Sequence, residues 1–392
     1  MSTSGGCVSR RSFLRGVAIG GGLLALRGLL QAPAATPAAA AAGQSGSISY
    51  MAVAEPISDY IRQEMIPPFT SATGIDVQID TTDYTKLHDK QVLELQGSNY
   101  DVFQVDQVWL QSYVKSGFLE PLDTYLATGV AKTDSFFPSV LHARQLTGSQ
   151  WVLPLSPIPV DYYSRKDVLD AAGLAPADTW DDLLNIAQKT MTKDASGNVT
   201  RWGFSTRGEQ GNPITWTWLP MLWAFGGQVF DDKMEPVYND ETGVASVEYF
   251  KELNQTSAPG WHSAQDVAAA MQQDQATQTT LMSVYNAAMD DPSASKVVGK
   301  VEFGEMPTKV KRATMLGLWT LGLNASSSKK DLGYQFIDYL SQPDNARKMA
   351  LAGVVGATQP AIYQDPQAPR FFPVLGKVLA YASPPPLIPE AD

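Results

Sequence analysis

DVFQVDQVWLQSYVKSG occupies residues 101–117. Its first five residues read as a strand. From 107 to 115 the apolar spacing becomes helical, and Gly117 stands where a left-handed residue commonly closes a helix. A strand that passes directly into a helix is half of a β-α-β unit. Earlier residues supply the rest. Residues 84–96 read as a helix, and IDVQI (75–79) alternates apolar and polar like a half-buried strand. Ile57, Ile61, Met65 and Phe69 recur every four residues and mark one helical face, while residues 47–54 form a strand before it. Pro67-Pro68 is expected to end or kink that helix. The series β-α-β-α-β predicts an α/β fold with a parallel sheet and helices packed on its faces.

Upstream, SRRSFLRGVAIGGGLLAL (9–26) places two arginines before a ten-residue apolar run. A spanning helix needs about 20 apolar residues. Arg27 interrupts the run, and the Ala/Pro tract APAATPAAAAAG (32–43) follows, which is the layout of an export signal. Arg10-Arg11 followed by Phe13 and Leu14 resembles a twin-arginine signal, which implies export of an already folded chain to the periplasm or outside. Residues 1–42 are therefore expected to be signal peptide. Cys7, the single cysteine, precedes the arginines, so no lipid-anchored protein is expected, and the mature chain is expected to hold no disulfide or thiolate metal site.

Removing residues 1–42 lowers the basic count from 29 to 25 against 40 acidic residues, so the net charge moves from −11 to −15. That balance argues against nucleic acid, whose phosphates need a basic footprint. About 350 residues suggest two domains. Beyond the first series, WVLPLSPIPVDYYS (151–164) is strand-like, and its prolines suggest a crossing segment rather than a central strand. Trp180–Thr190 reads as a helix with Thr179 as N-cap. DASGN (194–198) is a turn, and further helices are expected at 242–256, 264–274 and 329–341.

Motifs of catalysis are missing. The three histidines, His88, His142 and His262, have no metal-like spacing, and no G-x-S-x-G elbow, P-loop or G-x-G-x-x-G occurs. Asp231-Asp232 and Asn239-Asp240-Glu241 lack EF-hand spacing and read as solvated turns. No metal or cofactor is expected. What stands out is aromatic clustering: TWTWLPMLW (215–223), VDYY (160–163), DQVW (106–109) and MLGLWTLGLN (315–324). Core packing suits Trp180, Trp202 and Trp223. The other tryptophans lie on segments bounded by Gly or Pro, which points to loops at strand ends, where open α/β sheets bind ligands. An indole face stacks on the C–H face of a sugar, while carboxylates and amides bond its hydroxyls.

With these stretches in view, the chain from about residue 47 onward resembles the extracellular solute-binding proteins of sugar ABC transporters, the maltose-binding-protein group. The matching segments are YDVFQVDQVWLQSYVKSGFLEPLD (100–123), VDYYSRKDVLDAAGL (160–174), TWDDLL (179–184), LWAFGGQVFDD (222–232) and GLWTLGLNASSSKKDLGYQFIDYLSQPDNARKMAL (317–351). The resemblance implies the two-lobed periplasmic-binding-protein fold, type II, with the ligand cleft between lobes that close like a hinge. It places one lobe at 47–158 plus 308–362 and the other at 160–306 plus 363–392, with crossings near 158–160, 306–309 and 362–365. The final helices common in that group are not expected within 392 residues. The implied activity is capture of a carbohydrate or polyol for an ABC permease, by a monomer with no catalysis.

The ligand-binding positions implied are Glu55, Asp106, Trp109, Tyr162, Arg207, Glu209, Trp216, Trp218, Tyr285 and Trp319. Only one of Tyr162 and Tyr163, and one of Trp216 and Trp218, is expected to face the cleft. Two other readings compete. Glu55, Asp106 and Glu209 with aromatics would also suit a polyamine or other small non-sugar solute. A pair of acids would suit an exported carboxylate-based glycoside hydrolase.

Overall fold

Strand β1 (Gly46–Val53) is buried along nearly its whole length, as a parallel strand covered on both faces must be. The computed structural model describes residues 46–386 apart from 143, 144, 147, 211 and 261; the signal-peptide expectation and the end of the second lobe lie outside the described residues. After β1 the chain enters α1 (Pro56–Tyr60), a π-helical turn at Ile61–Met65, and α2 (Ile66–Thr73), which closes on Gly74 at φ 73°. Pro67-Pro68 therefore does not end the helix. The wider turn just before it accommodates the proline rings and the missing N–H groups, and the helix runs on to its glycine cap. Then follow β2 (Ile75–Thr82), α3 (Tyr84–Glu94), β3 (Val102–Asp106) and α4 (Leu110–Lys115). β1 pairs parallel with both β2 and β3, so the predicted unit is present.

The rest of the chain is organised by β4 (Val152–Arg165), fourteen residues long. After it come α5 (Trp180–Thr190), α6 (Asn212–Ala224), α7 (Glu241–Asn254), α8 (Ala264–Gln272), β5 (Gln278–Met282) and β6 (Val301–Gly304). β7 (Thr314–Leu323) returns, followed by α9 (Lys330–Ser341), α10 (Pro343–Leu351), α11 (Phe372–Tyr381) and β8 (Ala382–Ser383). Main sheet order is β6-β4-β7-β3-β1-β2, with β8 on β7 and β5 on β4.

The prolines of β4 explain how one strand serves two sheets. Residues 152–159 pair only with β7, while residues 160–165 are flanked by β5 on one side and β6 on the other. Pro154, Pro157 and Pro159 all lie in the first half, where one edge needs no N–H donor. The segment is thus a crossing, as expected, and also a central strand in its second half, where it has no proline. Around the first half, Tyr50 and Phe69 pack on Phe336 of α9, with ring centroids 5.6 and 5.2 Å apart. Around the second, Val160 and Tyr162 join Trp180, Leu183, Leu222, Phe250 and Leu253 in another core. α5 begins at the expected cap: Thr179 and Asp182 form a reciprocal capping box.

Asp161 is wholly buried where β4 enters the second sheet. Its Oδ2 accepts from Asn286 Nδ2 at 3.0 Å, and its Oδ1 and the Asn286 Oδ1 are both buried without a partner among the described residues. Burial raises the carboxyl well above its usual value of 3.8, with the Asn286 bond opposing. A raised folded value means stability that is complete below pH 3.8 and is lost as pH rises through the folded value. Asp161→Asn supplies an amide donor toward Asn286 Oδ1 and removes the ionisation. We expect it to stabilise the protein at pH 7 by about 1–3 kcal/mol in urea unfolding, the gain shrinking as pH falls toward 3.8. A loss of stability at pH 7 would count against this account.

Candidate functional site

Three parallel strands end at one edge of the sheet, and each delivers a polar or aromatic side chain there. β1 leads to Glu55, the N-cap of α1, with Pro56 behind it. β2 leads through the 83 turn to Tyr84 at the start of α3. β3 ends on Asp106, which caps the turn Gln107–Trp109 by accepting from the Val108 N–H at 3.3 Å. The Tyr84 hydroxyl also donates to Asp106, at 3.1 Å. β7 runs antiparallel to β3, and its register sets Trp319 directly opposite Asp106. A bulge between Trp319 and Thr320 on the β4 side re-aims the strand at this point. Glu55 and the Trp319 indole line the same cleft. Burial raises Glu55 above the ordinary carboxylate range, the nearby Trp319 indole opposes, and Asp106 adds to the rise.

Facing this wall across the crossing strands are residues of the second core's elements. Arg207 lies on the loop before α6, and Thr217 pins that loop by donating to the Arg207 carbonyl at 2.9 Å. Trp216 on α6 lies on the backbone of β7: a Cβ added at Gly317 would meet its ring at 2.3 Å. Tyr285 follows β5 in a single 3₁₀ turn. Together Glu55, Tyr84, Asp106, Arg207, Trp216, Tyr285 and Trp319 line a cleft of about 430 Å³. Ile158, Met315, Gly317 and Leu318 form its floor, with Gln265 and Met282 at its side. A second recess of about 470 Å³ shares Glu55, Ile158, Gln265, Met282 and Tyr285 and extends the cleft toward Val354 and Phe372. Burial lowers the Arg207 guanidinium, opposed by Glu209, Tyr285 and Tyr84; burial raises the Tyr285 phenol, opposed by Arg207.

Of the ten positions named from sequence, Glu55, Asp106, Arg207, Trp216, Tyr285 and Trp319 are brought together here. Four are not on the wall. Trp109 is 3% exposed and stands behind it, stacked on Tyr84 at 5.7 Å and edge-on to Trp319 at 6.2 Å. Tyr162 donates to Gln278 inside the second core, and Tyr163, on the other face, donates to the Met282 carbonyl at 3.0 Å. Alternation separates the two tyrosines as expected, but this half of β4 is covered on both faces, so neither reaches the cleft. Trp218 is two residues, about 200°, around α6 from Trp216. It turns toward α7, where its indole donates to Ser246 at 3.0 Å. Glu209 is set back and acts on Arg207 and Tyr285 through its charge.

Sequence reasoning overlooked Tyr84, Gln265 and Met282. Tyr84 carried the same signal as Glu55 and Asp106, a position at the carboxyl end of a parallel strand. Among the described residues no group of acidic, histidine or cysteine side chains is arranged to hold a metal ion, and no helix is long and apolar enough to cross a membrane.

Several known proteins are similar to this chain. A probable amino-acid ABC transporter periplasmic-binding protein of Sinorhizobium fredii is 26% identical over 80% of this chain and 72% of its own. Maltose-bound MalE3 of T. maritima superposes with a TM-score of 0.76 at 24% identity, over 88% of this chain and 90% of that one. A solute-binding protein of Agrobacterium radiobacter in complex with ribitol superposes with a TM-score of 0.74 at 23% identity, over 86% and 87%. The fold is the two-lobed periplasmic-binding-protein fold, with the cleft described above at the strands that the two lobes share. The profile of the family described as "Bacterial extracellular solute-binding protein" matches residues 52–347, and the chain belongs to that family.

Proposed function

We propose that this protein is the substrate-binding component of an ABC importer that captures a carbohydrate or polyol outside the cytoplasmic membrane. The observation that supports it is the composition of the cleft. Four aromatic side chains, Tyr84, Trp216, Tyr285 and Trp319, line the cleft with the carboxylates of Glu55 and Asp106, the latter held by O–H and N–H donors. Aromatic faces suit the C–H faces of a polyhydroxylated ligand, and fixed carboxylate oxygens suit its hydroxyls. In this reading Glu55, Asp106, Arg207, Trp216, Tyr285 and Trp319 touch ligand, and Trp109 backs them. Ligand bridges the walls and shifts the balance toward a closed form that docks on a membrane permease. No bond is made or broken. The twin-arginine signal would deliver the folded chain, and the lobes would be those expected from sequence. Maltose and ribitol, bound by two structural neighbours, mark the solute range to try first, and the amino-acid assignment of the Sinorhizobium relative sets the alternative class.

The test is a thermal-shift and calorimetric panel of monosaccharides, disaccharides, polyols, amino acids and polyamines, with mass spectrometry for products. A ligand at 100 times its Kd adds about 2.7 kcal/mol to stability. We expect a shift with one sugar or polyol class and no product. A shift confined to amino acids or polyamines, or any hydrolysis product, would overturn the proposal. With the ligand in hand, Trp216→Ala is expected to raise Kd about 10- to 100-fold, the worth of an aromatic face removed from water. Trp218→Ala is expected to lower stability and leave Kd within about twofold, because its indole serves Ser246 rather than the cleft. Equal effects of the two would contradict the assignment.

A further inference from the structure

Seven arginines lie among the described residues. Six of them, Arg62, Arg165, Arg201, Arg312, Arg347 and Arg370, have a carboxylate within 4 Å. Arg207 is the exception, and it faces the cleft. Contrast it with Arg165, whose side chain is 3% exposed and is neutralised by Asp167 and Asp274 together. Arg207 has lost much of its water with no carboxylate in ion-pair contact among the described residues; Glu209 acts on it only through its charge from farther away. Its one side-chain hydrogen bond is to the Met282 thioether sulfur at 3.7 Å, a weak acceptor, and its Nε is buried with no partner among the described residues. A guanidinium presents five donors in a planar fork that matches a carboxylate. Desolvating that fork and leaving it unpaired is unfavourable unless an anion arrives.

The opposite wall carries the other sign. The carboxylates of Glu55 and Asp106 line it, and Asp106 accepts from the Tyr84 hydroxyl and the Val108 N–H. Tyr285 lines the same cleft and feels the charge of both Arg207 and Glu55. The cleft is therefore electrically polar from one wall to the other. A neutral sugar would leave the Arg207 fork without an anion in contact, and a dicarboxylate would set a charge against Glu55 and Asp106. A ligand with one carboxylate and a run of hydroxyls satisfies both walls in a single orientation.

Resting on the carbohydrate-receptor reading above, we propose that the preferred substrate is a sugar acid, an aldonate or uronate, whose carboxylate is held by Arg207 and whose hydroxyls meet Glu55 and Asp106. Arg207 is then the residue that sets specificity.

The test uses the purified protein and calorimetric titration with matched pairs: D-glucitol and D-gluconate, D-glucose and D-glucuronate, ribitol and ribonate. In at least one pair the acid should bind about 10- to 100-fold tighter, with a preference that weakens as salt is raised. Arg207→Met should reduce that preference to within about threefold while changing the neutral member's affinity less, and Arg207→Lys should restore part of it. Thermal unfolding of ligand-free variants checks that they fold. If neutral members bind as tightly as their acids, this inference fails and the sugar-receptor reading stands. An acid preference that survives Arg207→Met also overturns it, by placing the anion elsewhere. If no sugar or sugar acid binds and an amino acid or polyamine does, the parent reading fails and takes this one with it.

Discussion

Two strands belong to both halves of this molecule, and the remainder of the structure depends on them. β4 gives its first eight residues to β7 and its last six to β5 and β6. β7 in turn pairs with β4, β3 and β8. The hydrogen-bond ladder therefore passes through the boundary without a break. A continuous β-ladder, and not loops alone, joins the two halves. The prolines of β4 contribute here in a second way. Three fixed φ angles stiffen the half that carries the floor of the cleft, and Ile158 on that floor sits between two of them.

The secondary structure near the N-terminus was legible because each change from alternating to helical spacing is local. Residues 75–79, 101–105 and 107–115 needed no knowledge of their neighbours. Proline positions were readable only in part. At Pro67-Pro68 the helix continues after a change of helical pitch that no local pattern announces, whereas Pro154, Pro157 and Pro159 sit, as a crossing segment requires, where β4 has one unpaired edge. The site was legible where a rule of topology applied, as at Glu55 and Asp106. It was less so where a side chain's phase mattered. Spacing alone separates Trp216 from Trp218 and Tyr162 from Tyr163. Which phase faces solvent, or whether either does, depends on what packs against the element. Tyr84 was in reach of the same topology rule and was missed because it opens a helix rather than a loop.

The cleft gathers groups that are partly desolvated before any ligand arrives. Asp106 is held by a phenol and a backbone amide, and Trp109 is packed behind Tyr84 and Trp319. Such groups lose little freedom when a ligand binds, because their rotamers are already fixed by their neighbours. The same arrangement works against the empty state. Polar atoms turned toward the cleft rather than toward each other raise the free energy of the unliganded fold, and a ligand relieves that cost.

The contact between Trp216 and the backbone of Gly317 has an optical consequence. An indole reports the polarity of its surroundings in its emission colour. Of the nine tryptophans in the sequence, Trp216 and Trp319 bound the cleft and Trp109 supports them. One sits on the helix side and one on the shared strand, so water leaving the space between them alters both at once. The protein carries an intrinsic fluorescent sensor of its own occupancy, and needs no attached dye to be read.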